Sequence, residues 1–551
     1  MNSVILPVLG AVVYLVGMRF YSTRVDKKIV GADPKRATPA RMYADGVDFM
    51  PTSRNVLFGY QFKSIAGAAP VLGPIIAIKW GWLPGLLWIL LGTLFIGWVQ
   101  DYLSAIVSVR SEGKTFGGIS FSLISPRART ILLVFIYLYL LLISAAFANT
   151  VADAMATAPH IPLAIVVLAV AGVAVGFLIY SGRMHLALVT LFGLALFYGA
   201  LVLNSRFGIG LADPGANKLL WLGFALAFSF LGSILPIWSF VQPINYLSFY
   251  VILVGMVGAV AGIVVGRPAM VQPAVTGFSA GGQPLWPMLF VTIACGAISG
   301  WHGIVSSTGT SRQLEKETDA RPVAGGAMFL EMMLALIALV IVGVARLEPG
   351  VSPAQLFGSG LGRLAGYLHL PPGLGEVYGP VMIVVLAITI LHLVVRFMRI
   401  AANELLGRAL PVMRIPAVGT LVAIVLAFVL SYTGTFNYIW VMFGSANQLM
   451  AGLALLIGSI WLVSQGRRAT FAIVPMVFMY VTTMAATVFL CYTQFRLGLA
   501  GVGGGMSGAV AGYWIAGLIG VVLFVAALIL GYDGVRALAR HRRAAAAAKG
   551  V

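Results

Sequence analysis

Charge is scarce in this 551-residue chain. Only 9% of its residues are Asp, Glu, Lys or Arg, against roughly 25% in an ordinary soluble domain, so water is not its main solvent. Cysteine is nearly absent. Cys295 and Cys491 both lie in apolar segments, which excludes a disulfide framework and a Cys-based metal site. The six histidines (His160, His185, His302, His369, His392 and His541) show neither H-x3-H nor HExxH spacing, so a metalloenzyme pattern is missing too. No stretch is long and polar enough for a soluble nucleotide-binding domain. Gly113-Lys114-Thr115 comes nearest to a phosphate-binding loop, but Ser108 stands where its first glycine belongs. An ATP-driven pump would therefore need its ATPase on a separate chain. Acidic residues number 16 against 35 basic ones, a net charge of +19. No RNA- or DNA-binding motif accompanies that charge, and nucleic acid is excluded as a partner.

What is present is apolar sequence, 60% of the chain, with a mean hydropathy of +1.00. A bilayer core takes about 20 apolar residues per helix. About 15 such segments recur, near 3–21, 55–79, 83–109, 130–156, 161–181, 186–203, 219–241, 245–266, 287–310, 325–346, 376–405, 415–433, 437–464, 469–492 and 509–532. The first is a retained helix, not a signal peptide: it lacks a basic leader and a small-residue cleavage site, and its positive charges follow the apolar run. With the N-terminus outside and the C-terminus inside, cytoplasmic loops hold 26 Lys and Arg and external loops hold 7, as the positive-inside rule demands. The expected product is an all-α polytopic membrane protein of the bacterial inner membrane, its partners the lipid bilayer, a small-molecule substrate and, as an option, a second copy of the chain.

Two segments read as broken helices. Between Phe58 and Pro74 the chain carries Gly59, Gly67 and Gly73 with Pro70 and Pro74. Between Cys295 and Ser311 it is rich in glycine and hydroxyls and contains His302. Freed backbone groups must face protein or a water-filled cavity, since lipid cannot satisfy them. Interrupted segments in corresponding positions of two repeats point to a transporter's binding site, and these two run in opposite directions across the bilayer. Half-helix N-termini offer N–H groups to an anion. The candidate substrate-binding residues are Gly67, Ala68, Ala69, Gly73, His302, Ser306, Ser307, Thr308 and Arg396. Packing of small residues alone is the competing explanation.

Ionisable groups within the spans are costly and are functional candidates by default. Asp101, His302, His392 and Lys63 are the candidate coupling groups. Lys63 either supplies positive charge to a carboxylate or snorkels to the cytoplasmic face. Asp101 has Arg110 as a candidate partner, and Asp153 sits near the outer edge beside Asn149. His302 suits proton exchange or a structural hydrogen bond. Glu331, at the start of its helix, is expected to pair with loop arginines such as Arg312 or Arg321. Arg396 offers a planar fork for a substrate carboxylate or neutralises an internal acid. Asn447-Gln448 reads as interhelical glue. Gly277-Phe278-Ser279-Ala280-Gly281 fits the nucleophile-elbow pattern but falls in an external loop, without the required strand, turn and helix.

A series of blocks runs through Asp45-Gly46-Val47-Asp48-Phe49-Met50-Pro51-Thr52, Phe58-Gly59, Ile65-Ala66-Gly67-Ala68-Ala69-Pro70, Gly73-Pro74, Leu83-Pro84-Gly85 and Gln100-Asp101. It returns at Ser299-Gly300-Trp301-His302, Ser306-Ser307, Glu317-Thr318-Asp319-Ala320-Arg321 and Phe443-Gly444-Ser445-Ala446-Asn447-Gln448-Leu449. On these blocks rests a resemblance to the carbon starvation protein A family. It implies membership of the amino acid–polyamine–cation superfamily and a leucine-transporter-like inverted five-helix repeat. The first repeat would be 55–203 and the second 287–464, with intervening helices over 219–266. Residues 1–21 and 469–532 would be peripheral, 22–54 a basic cytoplasmic loop and 533–551 a basic tail. It further implies uptake of pyruvate driven by protons, or of peptides. Two residue blocks depart from the family: Tyr60-Gln61 replaces a His-His pair, and His392 replaces an Asp four residues before Arg396. Sodium is therefore the alternative coupling ion, and no other cofactor is expected. A nutrient sensor would want a soluble output domain and an enzyme a compact acid, base or metal cluster; the sequence offers neither, and secondary transport is the reading that stands.

Overall fold

The computed structural model describes residues 1–547 except 183, 205–207, 348–349, 372, 434–435 and 503–507. Every apolar segment anticipated from hydropathy coincides with a helix or a broken helix. Twelve helices among the described residues are long and apolar enough to cross a membrane, and one bent pair makes a thirteenth. That pair is α2, Arg54–Ile65, and α3, Ala69–Ala77, which follows α1, Ile5–Val30. The axes on either side of the break differ by 44°. Pro70 sits in the first turn of α3, where no intrahelical donor is needed, so the chain restarts a helix there cleanly.

Then come α4, Trp82–Val109, a short α5, Phe116–Leu123, and the long α6, Pro126–Thr157. Thr115 and Ser125 cap α5 and α6 through their hydroxyls. α7, Pro162–Ser181, and α8, Leu186–Asn204, form a hairpin. α9, Pro214–Ile234, and α10, Val241–Gly266, precede a small external β-hairpin in which Ser279–Ala280 pairs with Gln283–Pro284. The second broken span is α11, Leu285–Thr292, and α12, Gly300–Ile304, which continues through a π turn to a final tight turn ending at Arg312. α13, Glu317–Gly343, starts eight residues earlier than hydropathy placed it. α14, Pro353–Tyr367, leads to α15, Gly373–Leu406, α16, Pro416–Tyr432, α17, Phe436–Ser464, α18, Thr470–Leu499, and α19, Gly508–Ala547.

Burial grades the helices. The most apolar stretch of α15 is wholly buried and those of α13 and α17 nearly so, whereas α7, α8 and α19 bury only a third or slightly more. Lipid-facing helices expose apolar residues by design, so the buried ones mark the centre. α6 lies along α15, α3 packs on α13, α2 on α10, and α12 on α17. Both helix breaks are thereby enclosed by protein.

Candidate transport site

The two breaks meet each other. A Cβ at Gly73 of α3 would come within 2.7 Å of the Thr292 carbonyl oxygen at the second break, and one at Gly67 within 2.6 Å of Ile390 Cδ1 on α15. Larger residues would push the half-helices apart. Trp301 ties the breaks together: its indole N–H donates to the Ser64 carbonyl at 2.7 Å, while Asn245 of α10 donates to Ser64 Oγ at 2.9 Å. Gln61 spans the same gap, donating to Ser306 Oγ at 3.0 Å and accepting from the Thr310 hydroxyl. The amide of Gln61 thus takes a structural place between the broken helices.

The first turn of α12 is already occupied. Asn447 Oδ1 accepts from the Trp301 N–H at 3.1 Å, from Ser299 Oγ at 3.0 Å and from the Tyr139 hydroxyl at 2.5 Å. The glue role expected of Asn447 is what the structure shows, and one of the N–H groups expected to face an anion is spent on it.

Directly below lies a buried charge cluster. His302 Nδ1 stands 3.1 Å from Asp101 Oδ2, and Nε2 stands 3.1 Å from Glu331 Oε2. The second contact is close enough for charge pairing but is not aligned as a hydrogen bond, and it leaves both Glu331 oxygens and Asp101 Oδ1 without hydrogen-bond partners. All three side chains are fully buried. They come from α4, α12 and α13, and each of those segments carries a π turn nearby: Thr93–Gly97, Val305–Gly309 and Arg321–Gly325. Such turns cluster at functional sites because they re-aim side chains within a continuous helix. Neighbouring Gln100 donates to the Ser299 carbonyl at 2.7 Å, fixing α4 against the second break.

Lys63 does not snorkel. It is fully buried, and its Nζ donates to the Ala66 carbonyl, freed by the first break, at 2.8 Å. Glu331 is the acidic group that acts on it. Lys63, Asp101, Glu331 and a neutral His302 together carry one net negative charge. One further proton brings the group to neutrality.

Several expectations are corrected. Arg110 pairs with Glu317 at 2.6 Å and not with Asp101. Glu331 meets His302 and not loop arginines, because α13 begins at Glu317 and places it well inside the span. Arg396 is committed elsewhere. It binds Asp48 of the loop before α2 at 2.5 Å and donates to the carbonyls of Gly232, Leu235 and Val47, contacts that fit the alternative of neutralising an acid of the protein. His392 is stacked on Phe228 and edge-on to Phe240, and among the described residues no acid pairs with it. Asp153 pairs with Lys218 at the surface, in keeping with the outer-edge position expected of it. The remaining candidates divide: Ala68 and Ala69 are buried at the first break, whereas the Ser307 carbonyl accepts from Ser108 and Ser311 and Thr308 faces a small crevice toward Glu404. Among the described residues, no group of three or more His, Cys, Asp or Glu is placed to hold a metal ion.

Comparison with known proteins agrees with this architecture. The chain matches the family described as Carbon starvation protein CstA over residues 2–352 and 349–486. It is 29% identical to the pyruvate/proton symporter BtsT of Escherichia coli, and 30% identical to the peptide transporter CstA of the same organism. In each case 88% of this chain and 80% of the relative are covered. Among solved structures, the manganese transporter of Eremococcus coleocola superposes with a TM-score of 0.50 at 14% identity, covering 90% of this chain and 99% of that one. That likeness is one of fold. It is an all-α fold of membrane-crossing helices with two broken spans.

Proposed function

The chain belongs to the carbon starvation protein CstA family of multi-pass membrane transporters, and we propose that it imports a small, pyruvate-like carboxylate by alternating access, driven by protons. The observation that carries this reading is the fully buried His302 held between two buried carboxylates beside both helix breaks. Burying a net charge costs several kcal/mol, so the cluster favours the state with one added proton. Deprotonated, it is net negative and repels an anion entering the breaks. Protonated, it is neutral, and the positive ends of the half-helices are left to attract the carboxylate. Proton and substrate thus bind together, which is the thermodynamic requirement for symport.

In this reading Gly67, Ala68 and Ala69 let the substrate approach the backbone, Ser306, Ser307 and Thr308 line the second broken helix, and Asp101, His302 and Glu331 hold the proton. Lys63 balances one carboxylate. The substrate is not placed on Arg396 or His392. The N-terminus lies outside and the C-terminus inside, a placement supported by the bias of basic residues toward the inner loops; a C-terminal green fluorescent protein that stays dark would reverse it.

The test is uptake of labelled pyruvate and of a labelled dipeptide into proteoliposomes, with proton and sodium gradients imposed separately. Pyruvate accumulation under the proton gradient is expected. Accumulation under sodium alone would overturn the coupling, and accumulation of neither substrate would overturn the transport reading in this form. A dipeptide substrate is the second reading, favoured by the 30% identity to a peptide transporter, and dipeptide accumulation without pyruvate would replace the first.

A further inference from the structure

A cavity of about 190 Å3 opens immediately outward of the two breaks. Its floor is formed by Ala69, the first residue of α3, by Ala294 in the second break and by Phe443 of α17. Phe443 lies four residues, about one helical turn, outward of Asn447, whose side chain clamps the start of α12. Its ring stacks at 6.4 Å on Tyr139, the residue that also donates to Asn447. The cavity is therefore the chamber next above the buried site, with one aromatic pair between them.

Among the described residues the only charged side chain on its wall is Lys79, at the outer end of the first broken span. Lys79 is half-buried, and its partners are neutral. Nζ donates to Gln283 Oε1 at 2.7 Å and stands 4.3 Å from the centre of the Trp80 ring. Among the described residues no carboxylate lies within ion-pair distance of it, although the Gln283 contact and the ring both hold the ammonium in place. A partly desolvated cation without a counter-ion attracts an anion. The cavity is also small. It lies below the ~300 Å3 at which pockets for drug-sized ligands begin, a size suited to an acid of a few carbons.

We propose that this chamber is an outer capture site for the substrate, in which the Lys79 ammonium binds the carboxylate before Phe443 admits it to the breaks. The inference rests on the carboxylate-import reading above and adds to it a first binding step and a size limit. Lys79 Nζ turns its hydrogen bond from Gln283 Oε1 to the incoming carboxylate, so the ammonium is not left as an unpaired donor.

The test compares wild-type, Lys79→Gln and Lys79→Arg proteins in proteoliposomes, measuring initial rates of pyruvate uptake. In Lys79→Gln the KM is expected to rise about three- to fivefold, the scale of a half-exposed ion pair, with kcat unchanged, because the buried cluster is untouched. Lys79→Arg keeps the charge and should restore the wild-type KM. An unchanged KM in Lys79→Gln would remove the capture site while leaving the import reading intact. A fall in kcat alone would do the same, since it would place Lys79 in the conformational change. Absence of pyruvate uptake by the wild-type protein would remove both the import reading and this occupant.

Discussion

At the scale of single residues, the proposed reading makes the cluster of Asp101, His302 and Glu331 the group that couples transport to protons. Replacing Glu331 by Gln keeps the shape and removes one ionisable oxygen pair. The cluster then holds Lys63, Asp101 and His302, and it reaches neutrality without an added proton. Proton-driven accumulation of pyruvate should fall at least about tenfold in Glu331→Gln, a difference of ~1.4 kcal/mol in the driving term. Exchange of labelled for unlabelled pyruvate at equal pH needs no net proton movement and should persist. Wild-type accumulation in that variant would take Glu331 out of the coupling. Asp101 and His302 stood out in the sequence because each is ionisable within an apolar run. Their contact did not, since 201 residues separate them. Glu331 was legible as an acid and was misplaced only by a helix start estimated at 325 instead of Glu317. Lys63 was ambiguous for a local reason: eight residues of depth fit either a snorkelling or a buried lysine, and only the carbonyl released at Ala66 settles it.

At the scale of elements, the segment between α1 and α2 would act as an inner latch in the proposed topology. Asp45 Oδ1 accepts from the backbone N–H groups of Val47, Asp48 and Phe49, folding the segment into a tight turn. The turn aims Asp48 at Arg396 of α15, while Val47 accepts from the Ile237 N–H and Gly46 from the Trp238 indole. Met50 and Thr52 bond to the end of the second broken span at Arg312 and Gln313. One loop thus joins α9, α10, α12 and α15 on the side assigned to the cytoplasm, where a closed transporter must be held shut. Asp48→Ala leaves the buried Arg396 without its partner, a change that costs about 3–5 kcal/mol; the double change Asp48→Leu with Arg396→Met should lose less, as thermal unfolding in detergent would register. Equal losses would show that the pair contributes nothing of its own. Burial alone would raise the Asp48 carboxyl, but Arg396, with help from Arg312 and Arg399, holds it below the usual carboxylate range. Its contribution is therefore complete above the unfolded value of about 3.9 and is lost only as pH falls through the lower, folded value. Between pH 5 and 8 the difference in Tm between wild type and Asp48→Asn should stay constant, and a difference that varied across that window would contradict the pairing. The helix breaks were legible because proline and glycine mark them locally. The latch was not, because its partners lie about 190 to 350 residues away and Arg396 looks the same in sequence whether it faces substrate or Asp48.

At the scale of the whole molecule, two divisions into repeats compete. Chain order assigns 55–203 to the first repeat and sets 219–266 between the repeats. Packing favours another division, in which α7 and α8 are an inserted hairpin and α9 and α10 complete the first repeat. α9 lies against both α6 and α15, and so does α16. α10 packs along α2 of the first broken span as α17 packs along α12 of the second. α5 docks on the following α6, and α14 docks on the following α15. The first two relations map onto each other only if α9 corresponds to α16 and α10 to α17, and they fail if the first repeat ends with α8; the third holds in either division. Hydropathy could not distinguish the two, because both divisions contain the same number of spans and leave the two broken helices antiparallel. Deleting two consecutive spans preserves the direction of everything that follows, so the alternatives can be separated. A variant lacking the α7–α8 hairpin, rejoined by a short polar linker, should stay monodisperse in detergent and retain measurable proton-driven uptake. A variant lacking α9 and α10 should lose uptake entirely, since it removes the carbonyls of Gly232 and Leu235 from Arg396 and the Asn245 support from Ser64. If the first deletion abolished transport in a folded protein, α7 and α8 would belong to the moving core and the division by chain order would be restored.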